Sequence, residues 1–405
     1  MQGMDMREMR AFHIAATTRL EAGAGGWSVP SQSGDGTYTV APIADDEWAC
    51  TCLDHETRLV RCKHILAVVI TIRRERGIDP TRYTDVVRVT YSQDWSAYNA
   101  AQCDEKRMFF QLLADMCASI PQPERPRGPG RPRLPLADMV YSIVARSYVG
   151  VSSRRFVTDM RDAADRGDID HPGSFQSLLR YTKDPALTPV LAALVGLSAL
   201  PLRTLETRFA VDSSGFGTTN TRTWFSTKHG REMRVRDWRK AHAMIGVDTH
   251  IVTAVEVTPS NVNDSPMLPR LAHQTAASFT IAEVSADKAY LSHDNVDVID
   301  RLGATPYIPF KSNSVAPIDA PDGSPWARMW HLYSYRQDEF LAAYHQRSNV
   351  ETVFSMVKAK FGDGLRSRTE TGQDNEVYAK FIAHNLCVLI QSFYELGIDA
   401  EFTRA

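Results

Sequence analysis

The order of hydrophobic and polar positions divides the chain into regions that predict different structures. Between residues 1 and 118, a hairpin pattern precedes an apolar run. From 136 to 200 the apolar positions recur at helical spacing, as in Ala137 to Val149. From 201 to 395, β-prone runs come first and then alternate with a helical pattern. That order predicts an α/β (α+β) domain with a mixed sheet and helices packed on it.

The β-prone runs of the last region carry acidic residues where strands are expected to end. The predicted elements are a strand over Arg208 to Val211, a hairpin over Ala241 to Val257 with its turn at Asp248 to His250, a strand from Phe279, a helix over Asn295 to Leu302 and a strand over Thr305 to Phe310. Asp212 follows the first run, and Asp287 ends the run that begins at Phe279. If these strands are neighbours, the two like charges repel, and a divalent cation removes that conflict. Taken alone, each Asp is better explained as a solvated strand end.

A segment between residues 338 and 361 has a chemically distinctive helical stripe. At about 100° per residue, Tyr344, Arg347, Glu351 and Lys358 fall within a sector about 60° wide. One carboxylate then lies among two cations and a phenol, which suits a metal site that acts on phosphate. The alternative is a helix with solvated ion pairs at helical spacing.

Four metal-binding residue types cluster in the first region. Cys50, Cys52, Cys62 and His64 lie within 15 positions, after a predicted hairpin over Trp27 to Val40. Three thiols and one imidazole complete a tetrahedral set for one structural Zn²⁺, with no open position. The alternative, small cysteines packed in a core, does not explain four such residues in so short a segment.

Composition limits the class of protein without naming a function. The chain has 405 residues, 43% of them hydrophobic, and 46 basic against 48 acidic residues. Such a composition excludes disorder over the whole length and allows two or three domains. The longest apolar candidate, Ala186 to Leu202, is too short for a membrane span and carries two prolines. Met1 to His13 lacks the apolar run of a secretory signal. We therefore expect no membrane partner and a cytoplasmic location, nucleoid-associated when bound to DNA.

Three segments are candidates for DNA contact. Residues 119–135 form a linker with six prolines and four arginines. Within it, Arg125 to Arg133 resembles an AT-hook that binds the minor groove, and the alternative is a solvated linker with no DNA contact. A turn at Gly150 to Ser153, followed by a helix that carries Arg154 and Arg155, matches a helix-turn-helix pattern or any two packed helices. Thr221 to Lys240 holds seven basic residues interleaved with aromatic ones, which suits nucleic acid or a charged hairpin face.

These residues together resemble the DDE transposases of bacterial and archaeal insertion sequences. Tyr344, Arg347, Glu351 and Lys358 match that family's Tyr-x₂-Arg-x₃-Glu-x₆-Lys motif. Asp212 with Ser213, and the run Asp287 to Tyr290, are similar to the first and second acidic positions. The stretch Thr258 to Asp264 is also similar to one common in the family. The Cys-x-Cys, Cys-x-His pattern resembles the SWIM-type zinc finger.

The resemblance implies a fold, a reaction and a set of ligands. It implies a ribonuclease H-like catalytic domain over residues 201–395, in which Asp212, Asp287 and Glu351 hold two Mg²⁺, with Mn²⁺ as a substitute. Arg347 and Lys358 would neutralise phosphate and Tyr344 would position it. The domains expected before it are a SWIM-type finger (1–118), the linker (119–135) and a helical DNA-binding region (136–200).

The implied activity is cut-and-paste DNA transposition by a homodimer that acts on double-stranded element ends and target DNA. Two alternatives stay open at this point. One is a nuclease of the same fold that cuts without joining strands. The other is a non-enzymatic zinc-finger regulator that binds DNA and retains the acidic triad as a relic.

Overall fold

The chain divides into two compact units, and each is described by itself. The computed structural model describes residues 10–11, 14–15, 18–23, 25–31, 36–44, 47–58, 61–75, 94–122, 133–218, 238–311, 314, 323–400 and 402. The first unit is Met1–Gln93 and the second is Asp94–Ala405. From the sequence, we expected the first region to extend to residue 118. The structure instead groups the segment from Asp94 onwards with the second unit.

In the residues that the structure describes, the first unit has a small antiparallel sheet followed by two helices. Its strands, in spatial order, are β1 (Glu21–Gly23), β2 (Gly26–Pro30), β3 (Thr37–Ala44) and β4 (Glu47–Cys50), and its helices are α1 (Leu53–Arg58) and α2 (Lys63–Glu75). The predicted hairpin is present, with Val29 opposite Tyr38. Gly26 has φ +125°, and a Cβ there would lie 2.5 Å from the Val40 carbonyl oxygen. Only glycine fits this close approach of two strands.

Helices open the second unit. They are α3 (Trp95–Ala118), α4 (Leu136–Val149), α5 (Val157–Asp165), α6 (Phe175–Thr182) and α7 (Leu187–Ala199). Helix α4 follows the predicted pattern and ends at Gly150, which has φ 74° and closes the helix as a left-handed cap. Helix α5 begins at Val157, so Arg154 and Arg155 lie in the turn before it. We had placed these two arginines on the helix itself, and that prediction was wrong.

A five-stranded mixed sheet forms the centre of the second unit. Its strands are β5 (Arg208–Gly217), β6 (Trp238–Gly246), β7 (Val252–Pro259), β8 (Glu283–Ala286) and β9 (Thr305–Tyr307), in the order β7-β6-β5-β8-β9. Strand β5 pairs antiparallel with β6 and parallel with β8. The remaining helices are α8 (Leu268–Ala276), α9 (His293–Arg301), α10 (Pro325–Tyr335), α11 (Gln337–His345), α12 (Ser348–Phe361) and α13 (Glu370–Leu396). This mixed sheet flanked by helices confirms the predicted fold class.

Two buried polar side chains hold the β6–β7 hairpin in place. Glu206 is fully buried and accepts hydrogen bonds from the backbone of Asp248 and Thr249, at 3.0 Å each. Asn385 of α13 accepts from the Val252 amide at 2.9 Å and donates to the Val252 carbonyl at 2.7 Å. Buried polar groups with complete hydrogen bonding fix a unique geometry. The hairpin is therefore anchored at its turn and at the start of its return strand.

Among the described residues, one bent pair of helices has the length and composition of a membrane span. No single helix of the described chain is long and apolar enough to cross a membrane. Two consecutive helical segments are together long and apolar enough to span, but the chain bends by 84° between them; they are Phe175–Thr182 and Leu187–Leu202.

Candidate functional site

The two aspartates of the predicted triad lie beside each other on neighbouring strands. Strands β5 and β8 are parallel, with Val211 opposite Ala286. Asp212 and Asp287 each come one residue later, so the register places them at the same level. Asp287 follows the end of β8, as predicted, and its Oδ1 accepts from the Lys288 amide at 2.7 Å. Asp212 lies in the middle of β5 rather than at its end, which corrects the predicted strand boundary.

Arg347 connects the third acidic residue to this pair. Its Nη1 donates to Asp212 Oδ2 at 2.8 Å, and its Nη2 donates to Glu351 Oε1 at 2.9 Å. Arg347 directly precedes α12, and Glu351 lies in the first turn of that helix. One guanidinium therefore lies between a carboxylate of the sheet and a carboxylate of the helix.

Asp212 interacts electrostatically with both of the other acidic residues. Burial is the largest cause that raises the pKa of Asp212, and the charges of Asp287 and Glu351 raise it further. The amide of Ser213 and the charge of Arg347 act in the opposite direction. Three carboxylates are thus balanced here by one guanidinium. Such a surplus of negative charge favours an added cation.

The donor set suits Mg²⁺, because carboxylate oxygens are the ligands that hard divalent ions prefer. The bridging guanidinium is a cation held between two of the three carboxylates, where a metal ion would be expected. The three carboxylates do not form a set with all ligand atoms within 4.8 Å of one another; in the described ranges only a cysteine–histidine cluster does. Asp212 and Glu351 instead share Arg347 as a common hydrogen-bond donor.

The predicted phosphate-binding residues surround this centre, although not on one continuous helix. Helix α11 ends at His345 and α12 starts at Ser348, so the single helix predicted over residues 338–361 is broken at Gln346 and Arg347. Tyr344 lies before the break, and Arg347 lies over its ring with 5.8 Å between Cζ and the centroid. Lys358 donates from Nζ to Ser214 Oγ at 2.7 Å, two residues beyond Asp212 on β5. Burial lowers the pKa of Lys358.

Sequence reasoning missed one acidic residue beside the centre. Asp264 Oδ1 accepts from Ser213 Oγ at 2.9 Å and from Lys240 Nζ at 3.1 Å, and it lies 3.3 Å from Nδ1 of the buried His242. Ser213 in turn donates its amide to Asp212. Asp264 belongs to the stretch already noted for its resemblance. That resemblance was the signal available, because spacing alone does not place residue 264 near 212.

Two basic residues expected to face nucleic acid are paired inside the protein. Arg239 donates to Asp374 from Nε at 2.6 Å and from Nη2 at 2.9 Å. Lys240 is held by Asp264 and by the Val262 carbonyl. The rest of the predicted basic segment, residues 221–237, lies outside the described residues, as does most of the AT-hook-like stretch.

The first unit brings its four predicted metal ligands together. Cys50 ends β4, Cys52 precedes α1, and Cys62 and His64 are at the start of α2. The ligand atoms of all four lie within 4.8 Å of one another, and all four side chains are buried. His64 Nδ1 is 3.8 Å from Cys50 Sγ and 3.9 Å from Cys62 Sγ.

This cluster fits a zinc ion by geometry and by chemistry. Zn–S and Zn–N bonds of about 2.3 and 2.0 Å give tetrahedral S···N edges of about 3.5 Å, close to those observed. The contact between Cys50 and Cys62 lowers the pKa of Cys62 and raises that of Cys50. One thiolate therefore forms readily, and a bound Zn²⁺ stabilises the others as thiolates. The set is compatible with a zinc finger.

The domain that holds the acidic residues is similar to a known family. Residues 203–386 match the family model described as the transposase DDE domain. No solved structure matches the chain. The matched segment contains β5 to β9 and α12, and so includes Asp212, Asp287 and Glu351. The match supports a transposase function in general for the domain that residues 203–386 form.

Proposed function

We propose that this protein is a cut-and-paste DNA transposase. Asp212, Asp287 and Glu351 act as its catalytic triad and hold two Mg²⁺, or Mn²⁺ in their place. The observation that carries the proposal is the convergence of these three acids, two on adjacent parallel strands and one joined to them through Arg347. The family match to the enclosing domain supports the same reaction class.

The chain's own groups have distinct tasks in this proposal. When bound, the metal ions supply an activated water and stabilise the departing 3′ oxygen. Asp212 is positioned by the Ser213 amide, and Arg347 supplies a guanidinium suited to a phosphate oxygen. Lys358, on the same side of β5, neutralises a second phosphate oxygen. Tyr344 packs against Arg347 and orients it.

Two further features belong to the proposal. Two ends must be cut in concert, so we infer a homodimer in the active complex with double-stranded DNA. We also infer that the first unit is a SWIM-type finger holding one structural Zn²⁺ on Cys50, Cys52, Cys62 and His64.

The test uses the full chain and a supercoiled plasmid. A marker on the plasmid lies between the sequences that flank this gene in its genome, where short inverted repeats are expected. We expect Mg²⁺-dependent excision of the marker and its insertion into a second plasmid. Asp212→Asn, Asp287→Asn and Glu351→Gln should each abolish cleavage and leave DNA binding intact. Asp338→Asn, an exposed acid on the neighbouring helix, is the matched control and should cleave normally.

Other outcomes separate the alternatives. Cleavage by any of the three variants at the wild-type rate contradicts the triad. Cleavage without joining, even when pre-cut ends are supplied, identifies a nuclease. Binding to DNA with neither reaction identifies a regulator.

A further inference from the structure

A basic groove lies on the second unit, away from the acidic centre. It has a volume of about 460 Å³ and is formed by the turn before α5, the end of α6 and the loop between α12 and α13. Its described lining holds five cations and no carboxylate. The five cations are Arg146, Arg154, Lys183, Arg366 and Arg368. These cations come from four separate elements, α4 among them, and converge on one space, so their charges add there.

A buried arginine lies at the base of the groove. Arg146, in the last turn of α4, is 5% exposed. Its Nη1 donates to Ser153 Oγ at 3.3 Å, and its Nη2 is 3.9 Å from Glu376. Its Nε has no hydrogen-bond partner within the described part of the chain. A buried, charged donor without an acceptor is costly, and an anion in the groove would satisfy it.

The nearby carboxylate is engaged elsewhere. Glu376 is almost fully buried and accepts from the Ser367 amide at 2.9 Å and the Ser367 hydroxyl at 2.8 Å, as well as from the Arg366 amide. It therefore fixes the loop that carries Arg366 and Arg368. Arg366 also donates from Nη2 to the Gly150 carbonyl. The exposed charges that face a ligand are therefore those of Arg154, Lys183 and Arg368. Arg154 lies over the Phe175 ring with 5.1 Å between Cζ and the centroid, which holds its guanidinium at the groove edge.

The loop that lines the groove is hydrogen-bonded to the strand that carries Asp212. Along β5, Asp212 is followed by Ser214, which binds Lys358, and then by Gly217. Gly217 pairs with the loop after α12, because its amide donates to the Asp363 carbonyl at 3.0 Å and its carbonyl accepts from Leu365 at 2.8 Å. Five strand residues span about 17 Å, which is about five base pairs of B-form DNA.

We propose that this groove binds the phosphate backbone of the DNA duplex a few base pairs from the scissile phosphate. The inference rests on the proposed transposase function and adds a second contact surface to it. Arginine and lysine side chains bind phosphate oxygens, and such contacts position a duplex without carrying sequence information. It holds the duplex in register while the acidic centre acts on the end.

The test measures binding of the full chain to a 40-bp duplex of arbitrary sequence, by fluorescence anisotropy in EDTA over a range of salt concentrations. Arg154→Ala, Lys183→Ala and Arg368→Ala change exposed side chains, and equal thermal unfolding midpoints check that the variants fold. Each should weaken binding about three- to tenfold and lower the slope of log K against log salt by about one. Arg155→Ala is the matched control, since Arg155 is exposed in the same turn and does not line the groove.

The groove assignment is overturned if the three variants bind like the wild type, or if Arg155→Ala weakens binding as much as they do. It is equally overturned if the wild type does not bind the duplex. These outcomes are independent of the transposase proposal, which is judged by Mg²⁺-dependent cleavage of the plasmid substrate. If the wild type cleaves the plasmid but the three groove variants bind the duplex as well as it does, only the groove proposal is refuted. A protein that binds through the groove but never cleaves refutes the transposase proposal alone.

Discussion

Removal of the cysteine–histidine cluster should unfold the first unit and leave the second folded. Besides the ligands, the described part of the first unit buries seven large aliphatic side chains: Ile14, Leu20, Val29, Val40, Ile65, Val68 and Ile70. A core of that size gives limited stability to a small unit. A structural Zn²⁺ contributes about 10–16 kcal/mol of apparent binding free energy, whereas whole domains are stable by about 5–15 kcal/mol. The binding free energy lost with the ion is therefore larger than the folding free energy that this apolar core can supply.

The assay is hydrogen–deuterium exchange on the full chain, with zinc content measured in parallel. Cys62→Ser, or chelation of the wild type, should remove amide protection from β2, β3 and α2. Protection in β5 to β7 should stay as in the untreated protein. Cys103→Ser is the matched control, because Cys103 is exposed on α3 and lies outside the cluster. Unchanged protection in β2 and β3 after complete loss of zinc would refute the reasoning, as would a wild type that binds no zinc.

The remaining predictions concern the second unit. Lys358→Met should lower the rate of strand cleavage at least tenfold with little change in unfolding free energy, since methionine keeps the apolar stem over the Phe216 ring and removes the charge that donates to Ser214 Oγ. An unchanged rate would exclude a role in phosphate binding. Glu206→Ala should cost about 2–4 kcal/mol in urea denaturation, because the buried amides of Asp248 and Thr249 lose their acceptor. Glu256→Ala should cost far less, because Glu256 is only half-buried on β7 and accepts from a single side chain, Gln274. Burial lowers the pKa of His384 to about 4 from an unfolded value of 6.5, so the unfolded state takes up the proton first and stability falls as the pH drops from 6.5 towards 4. That loss amounts to about 3 kcal/mol at pH 4, and His384→Gln should remove it from the pH profile of unfolding.

Local pattern was sufficient where the sequence signal and the tertiary pairing agree. The β6–β7 hairpin was predicted from two β-rich runs around Asp248 to His250, and His250 does adopt a positive φ of 61° at that turn. The start of α4 and the strand before Asp287 were predicted for the same reason. The four zinc-type ligands were found because they are close in sequence, so spacing alone brings them together.

Pattern failed where a distant partner decides the structure. Strand β5 continues to Gly217 through Ser-Ser-Gly because β6 pairs with it along its whole length, from Phe209 to Gly217. The break between α11 and α12 has no proline or glycine to mark it. It occurs where Arg347 reaches back to Asp212, 135 residues earlier. The pairing of Arg239 with Asp374 is equally distant, so a count of local charges assigned that arginine to the wrong surface.

Contacts at successive levels of β5 fasten helix α12 to the sheet. Arg347 reaches residue 212 of the strand, Lys358 reaches residue 214, and the segment just after the helix is hydrogen-bonded to residue 217. These contacts hold the helix at its start through Arg347 and at its end through Lys358 and the loop that follows. We therefore expect any rearrangement that admits a substrate to occur in the elements around α12 and β5. The helix and the strand should keep their relative position during such a rearrangement.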